Sequence, residues 1–153
     1  MEIKPILCRA GTMDNYAYVI RDEKSGISAI IDPSEAAPII ETCHQLNIQP
    51  EYILNTHHHF DHTDSNLELK ALFHARIVGN ASDAHRIPGL DIEVKEGETF
   101  NSGETPAQII NADGHTIGHI LWYFSQDKAL FTGDVLFNLC IGGIFEGTIE
   151  QMW

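Results

Sequence analysis

Basic residues are scarce in this chain: nine Lys and Arg stand against 22 Asp and Glu, for a formal net charge of -13. Affinity for phosphate backbones rests on clustered cations, so no nucleic-acid partner is expected. Cysteine is equally sparse. Cys8, Cys43 and Cys140 are widely separated and odd in number, which argues against a disulfide framework and fits a reducing cytoplasm. Each is read as a small buried apolar residue rather than a nucleophile. No apolar run approaches bilayer length, and the opening MEIKPILCRAG has no long apolar stretch behind its lysine, so neither a membrane span nor a secretory leader is expected. A GxSxG motif is also missing, which directs attention away from a side-chain nucleophile. No histidine follows His119.

With 153 residues the chain has the size of one domain with a real hydrophobic core. Its first third reads as strands: EIKPILC, YAYVIRD and ISAIID, the last two joined by a turn over Glu23 to Gly26. Ile39, Ile40, Cys43 and Leu46 fall at helical spacing within Pro38 to Leu46, with Ser34 and Glu35 available to start the helix. The short strand YILNT follows, then a second helix over residues 64 to 75 with Asp64 or Ser65 as cap. Further strands are predicted at RIVGN, DIEVK, QIINA, HILWYFS and ALFTGD, with turns at Ser102-Gly103 and Asp113-Gly114.

The most informative stretch is THHHFDHTDSN, residues 56 to 66, which sets His57, His58, His59, Asp61 and His62 almost side by side. Neutral imidazoles and carboxylates are ligands for zinc, iron and manganese, and packing asks for no such density. The run is internal and interrupted by Phe60 and Asp61, unlike an expression tag. Alternate residues of an extended segment point the same way, so His57, His59 and Asp61 are predicted to converge, with His62 addressing a second ion. Two later segments, NADGHTIGHI at 111 to 120 and FTGDVLF at 131 to 137, also set candidate ligands beside glycine at strand ends.

Together these motifs resemble the metallo-β-lactamase superfamily, and FTGDVLFNLCIGGIFEGTIEQM is similar to the hydroxyacylglutathione hydrolases, or glyoxalase II. The resemblance implies an α/β (α+β) fold, the αββα sandwich, with residues 1-153 forming one such domain that is short at its C-terminus. It implies two divalent metal ions, zinc first, with iron or manganese as alternatives. His57, His59 and His115 would hold one metal, Asp61 and His62 the other, and Asp134 would bridge them, which makes Asp61 and Asp134 the candidate catalytic carboxylates. The activity implied is attack by a bridging hydroxide on a small-molecule thioester, such as one derived from glutathione, since a thiolate leaves without a general acid. Two other outcomes are carried: a superfamily relative with another reaction, such as a persulfide dioxygenase or lactonase, and a catalytically silent metal-binding domain.

Other histidines have plainer readings. His58 faces away from its neighbours if the segment is extended, His119 is structural in the GHTxGH pattern, and His44, His74 and His85 are isolated surface or helix residues. Asp113 and Asp32 are turn residues first, although Asp32 can orient a ligand histidine from outside. Departures from the family pattern are equally specific. Asp64 and Ser65 replace a Gly-Gly turn, Asp113 stands where proline or cysteine is frequent, and Gly143 and Phe145 replace a basic residue and a tyrosine. The family's further histidine for the second metal and the helical substrate domain of the glutathione hydrolases lie beyond the FEGT segment, so an incomplete domain or association with another chain, such as a homo-oligomer, is expected.

Overall fold

The computed structural model describes residues 1–153 and places the elements in two facing sheets. Strands β1 (Glu2–Cys8), β2 (Asn15–Arg21), β3 (Ser28–Ile31), β4 (Tyr52–Leu54), β5 (Arg76–Asn80) and β6 (Ile92–Val94) form the first sheet in that order. Its first three strands are antiparallel, as hairpin spacing predicts, and β3 to β6 run parallel because helical crossovers join the first two of those pairs. Pro5 is tolerated because β1 is an edge strand. The second sheet is antiparallel, in the order β10 (Ala129–Phe131), β9 (Ile120–Phe124), β8 (Thr105–Asn111), β7 (Thr99–Ser102).

Helices α1 (Ala36–Leu46) and α3 (Asn66–Phe73) cover the outer face of the first sheet, giving three layers of the αββα sandwich. The division follows from the two-residue strand period. Ile30, Ile53 and Ile77 point to the helices and meet Ile39, Cys43, Leu69 and Phe73. Ala29, Ile31, Leu54 and Val78 point the other way and meet Ile109, Ile120, Trp122 and Phe124 of the second sheet. Because both faces of β3, β4 and β5 are buried, these strands read as continuous apolar runs.

Several expectations shift locally. Both long helices begin without a side-chain cap bond, at Glu35 and Ser65. The Asp64-Ser65 turn needs no glycine: Asp64 is right-handed at φ -59 and Ser65 sits at φ -95. The Ser102-Gly103 turn joins β7 to β8, and β7 itself lacks a clear sequence signal. Cys8 and Cys43 are buried as read, but Cys140 is exposed, because it lies on the small ribbon of β11 (Leu136–Phe137) and β12 (Cys140–Ile141) outside both sheets. A last turn, α4 (Ile149–Met152), starts at a Thr148/Gln151 capping box and seats Met152 beside Gly114. His44, His74 and His85 are exposed. No helix is long and apolar enough to cross a membrane.

Candidate metal centre

Loops leaving β4, β8 and β10 converge at one rim of the two sheets, where they bring the candidate ligands together. Ligand atoms of His57, His59 and His115 form one group, all within 4.8 Å of one another, and those of His57, His62 and Asp134 form a second. Asp134 also approaches the first group, with Oδ2 3.5 Å from His115 Nε2. The path of the histidine segment differs from the extended one. The chain bends at Thr56 and His57, and after His59, at φ -57 and ψ 144, Phe60–Thr63 turns into the short helix α2. Asp61 therefore does not converge with His57 and His59; its Oδ2 lies 3.6 Å from His62 Nε2 and accepts from Asn15 Nδ2 at 2.8 Å.

In His57, His62 and His115 the Nδ1 has a partner outside the centre, which leaves Nε2 free to bind. His115 Nδ1 donates to the Gly143 carbonyl at 2.7 Å, so its Nε2 carries the lone pair, directed 3.0 Å from His59 Nδ1. His57 Nδ1 contacts Thr56 Oγ1 at 3.0 Å, while its Nε2 is buried with no partner at all. His62 Nδ1 faces Asp32 Oδ2 at 3.1 Å, and its Nε2 faces Asp134 Oδ1 at 3.1 Å. An orphaned, fully buried imidazole nitrogen among lone pairs aimed at common points fits a cation and is costly without one.

Asp32 is the outer carboxylate on which this arrangement turns. It accepts from the Thr56 N–H at 2.8 Å and the Thr56 hydroxyl at 2.6 Å as well as facing His62. It holds a left-handed backbone, φ +49, at the end of β3, a conformation Asp adopts more readily than most residues. Gly133 precedes Asp134 at φ +47, and a Cβ there would meet Thr56 Oγ1 and His119 Nε2 at 2.5 and 2.6 Å. His119 stacks on His57 at 4.7 Å and accepts from the Asp134 N–H at 3.3 Å. His58 turns from the centre to Asp83, with Nδ1 3.1 Å from Oδ2. Asp113 keeps its turn role, accepting from the Gly118 N–H.

Electrostatics prepare the donors. Burial, reinforced by neighbouring histidines, pushes His57 well below the usual imidazole range, and burial with His115 lowers His59, so both imidazoles are neutral. His119 is pushed down to about 3 by burial and by His115 and His62. Burial also opposes protonation of His62, but the Asp134 and Asp32 carboxylates outweigh it and raise it to about 10. The two carboxylates thus favour the protonated form of His62. Asp134 is lowered in turn: burial works against its charge, and His62 overcomes that. Asn15, Thr56 and Gly143 escape sequence reading because their roles rest on a side-chain amide, a hydroxyl and a backbone carbonyl with no motif of their own.

The model of the metallo-beta-lactamase superfamily matches residues 10–146. The chain is 46% identical over 140 residues to the hydroxyacylglutathione hydrolase of Methylococcus capsulatus, covering 92% of this chain and 55% of that protein. Against the hydroxyacylglutathione hydrolase of Pelagibacter ubique it is 46% identical over 153 residues, which is 100% of this chain and 63% of the other. The chain thus spans little more than half the length of these curated relatives. Among solved structures, the BLEG-1 B3 metallo-beta-lactamase superposes with a TM-score of 0.87 at 23% identity, over 99% of this chain and 81% of that one. ETHE1 from Myxococcus xanthus gives 0.86 at 24%, over 99% and 66%. Those two likenesses speak to fold; joined to the family match along most of the sequence, they leave a single assignment, and the chain belongs to the metallo-beta-lactamase superfamily.

Proposed function

We propose that the chain performs metal-dependent thioester hydrolysis of the hydroxyacylglutathione hydrolase type. In this reading His57, His59 and His115 would hold one divalent cation, Asp61 and His62 would hold a second, and Asp134 would be a ligand to both. The observation that carries it is the pair of donor groups sharing His57 at the sheet rim; the names of relatives at 46% identity support the reaction class. Imidazole and carboxylate donors without thiolate suit zinc, and iron or manganese accept the same set. When bound, a pair of such cations lowers the pKa of a water they share and polarises a carbonyl.

The chain's own residues supply position. The Gly143 carbonyl and Asp32 fix the tautomers of His115 and His62, and Asn15 aims Asp61. No side chain is needed to protonate the leaving group, because a thiolate departs unaided. Phe145 lies edge-on to His59 and His115 at 5.9 and 5.2 Å and is 72% exposed, so it offers an apolar wall to a small-molecule thioester. At position 143 a glycine gives a glutathione carboxylate no cation, a loss of about 1.5–3 kcal/mol for a charge-assisted hydrogen bond. Three free thiols suit a reducing, cytoplasmic setting.

The test is release of thiol from S-D-lactoylglutathione by the metal-loaded chain, with metal content measured on the same sample. Turnover that stops with chelator and returns with zinc is the expected result. A folded chain holding two metals without turnover overturns the reading, and one iron per chain would favour an oxygenase over a hydrolase.

A further inference from the structure

Behind the His57, His59 and His115 group lies a second constellation, made of side chains with no part in holding a cation. Asp83 ends a 3-10 turn (Ala81–Asp83) and is wholly buried. Its Oδ1 accepts from Arg86 Nε at 2.9 Å and Nη2 at 2.5 Å, and its Oδ2 meets His58 Nδ1 at 3.1 Å. Arg86 then reaches outward with the rest of its fork: Nη1 donates to Glu146 Oε1 at 2.6 Å and Nη2 to the Ile117 carbonyl at 2.6 Å. Glu146 Oε2 accepts from the Ile117 N–H at 2.7 Å. Between them, Arg86 and Glu146 grip both backbone polar groups of a residue two places after His115.

The same network fixes the segment from Gly142 to Gly147. That segment supplies the Gly143 carbonyl that sets the His115 ring, the Phe145 N–H that donates to the His115 carbonyl at 3.2 Å, and the Gly147 N–H that donates to the Gly114 carbonyl at 3.0 Å. A carbonyl on a loop is only as well placed as the loop, and Glu146 is this loop's charged tether. Close packing leaves little slack: a Cβ at Gly118 would meet Ser82 Oγ and Asp83 Oδ1 at 2.7 and 2.8 Å. A buried carboxylate paired with arginine contributes little net stability compared with apolar packing. What it does provide is geometry, because a planar fork satisfies several acceptors in fixed directions.

We propose that Asp83, Arg86 and Glu146, with His58 at their edge, form a positioning network that presets the His57, His59 and His115 group for its cation. This rests on the metal reading above. The variants are Arg86→Gln, Arg86→Lys and Glu146→Gln, each titrated in metal-free form with cobalt(II) against a chelator. Alongside, the His115 Nδ1–H proton is followed by NMR before any metal is added.

Arg86→Gln and Glu146→Gln are expected to weaken cobalt at the three-histidine group by about 10–100-fold, the usual cost of losing an outer partner, and to leave the His62 and Asp134 group close to the parent. Arg86→Lys keeps the charge but not the fork, and behaves like Arg86→Gln. The double variant Arg86→Gln/Glu146→Gln is no worse than the worse single, because the two residues act as one unit. In all of them the His115 Nδ1–H signal broadens. Parent-like cobalt affinity and a sharp His115 proton in the singles would overturn the proposal, as would full rescue by lysine or an equal loss at both groups. A parent chain that takes up no cobalt overturns the metal reading instead, and the His115 proton then still judges the network. Glu146→Gln, on the outer side of the network, keeps the test readable if Arg86→Gln does not fold.

Discussion

Asp32→Asn removes a charge and turns one acceptor oxygen into a donor, with no change of size. Asn matches Asp in size and tolerates the left-handed backbone, φ +49, at which this residue sits. In the parent, the carboxylate accepts from the Thr56 N–H and hydroxyl at 2.8 and 2.6 Å and faces His62 Nδ1 at 3.1 Å. The amide keeps one acceptor oxygen for Thr56 and turns an NH2 toward His62, so a donor meets a donor unless the ring changes tautomer. A hydrogen bond to a charged group is worth about 1.5–3 kcal/mol, which at roughly 1.4 kcal/mol per tenfold is a loss of about 10–150-fold in affinity at the His62 and Asp134 group. His57 keeps its contact with the Thr56 hydroxyl, so the three-histidine group weakens less. Zinc titration of the metal-free variant against a chromophoric chelator resolves the two steps. Two steps as tight as in the parent would refute the claim that Asp32 fixes His62, and an equal loss at both would mean that the substitution loosens the whole rim.

Metal-free stability is expected to peak near pH 6.5. His62 is raised from 6.5 to about 10, so its contribution is full below 6.5 and is lost as pH rises toward 10. His57 and His119, lowered from the same value by burial and histidine neighbours, refuse protons that the unfolded chain accepts below 6.5, so stability falls on that side too. Urea unfolding of the chelated protein over this range checks both limbs, and a flat profile would contradict them. Gly133→Ala, at φ +47 and against Thr56 and His119, should cost more than about 1 kcal/mol and weaken metal binding through Asp134, read by thermal unfolding and zinc titration together. Asp22→Asn should destabilise by about 1.5–3 kcal/mol in urea unfolding, because the carboxylate accepts from the Lys24 and Glu104 N–H groups and from Ser25 and so ties the first sheet to the β7–β8 turn. Burial opposes the Asp22 charge but these donors lower its pKa below 3.8, so the stabilisation is present above that pH and is lost as pH falls below it.

What sequence could and could not show follows from which forces leave a local trace. Strands β3, β4 and β5 are legible because burial on both faces writes an apolar run, and α1 because Ile39, Cys43 and Leu46 repeat at the helical period. The ligand types are legible for a related reason: no packing demand explains His57, His59 and Asp61 in one short run. Their path is not. A single helical turn at Phe60–Thr63 is too short to carry a period, so an extended reading aims Asp61 at the wrong partners. The same limit hides Asn15 and the Gly143 carbonyl, whose value depends on what the fold brings to them. Asp83 and Arg86 stand at a spacing of three, common on any surface, and only the arrival of Glu146 and Ile117 from some thirty to sixty residues downstream turns that pair into part of the site. Ligand identity is therefore a local property of this chain, while ligand placement is a tertiary one, and substitutions at Arg86 separate the two because they leave every proposed ligand in the sequence untouched.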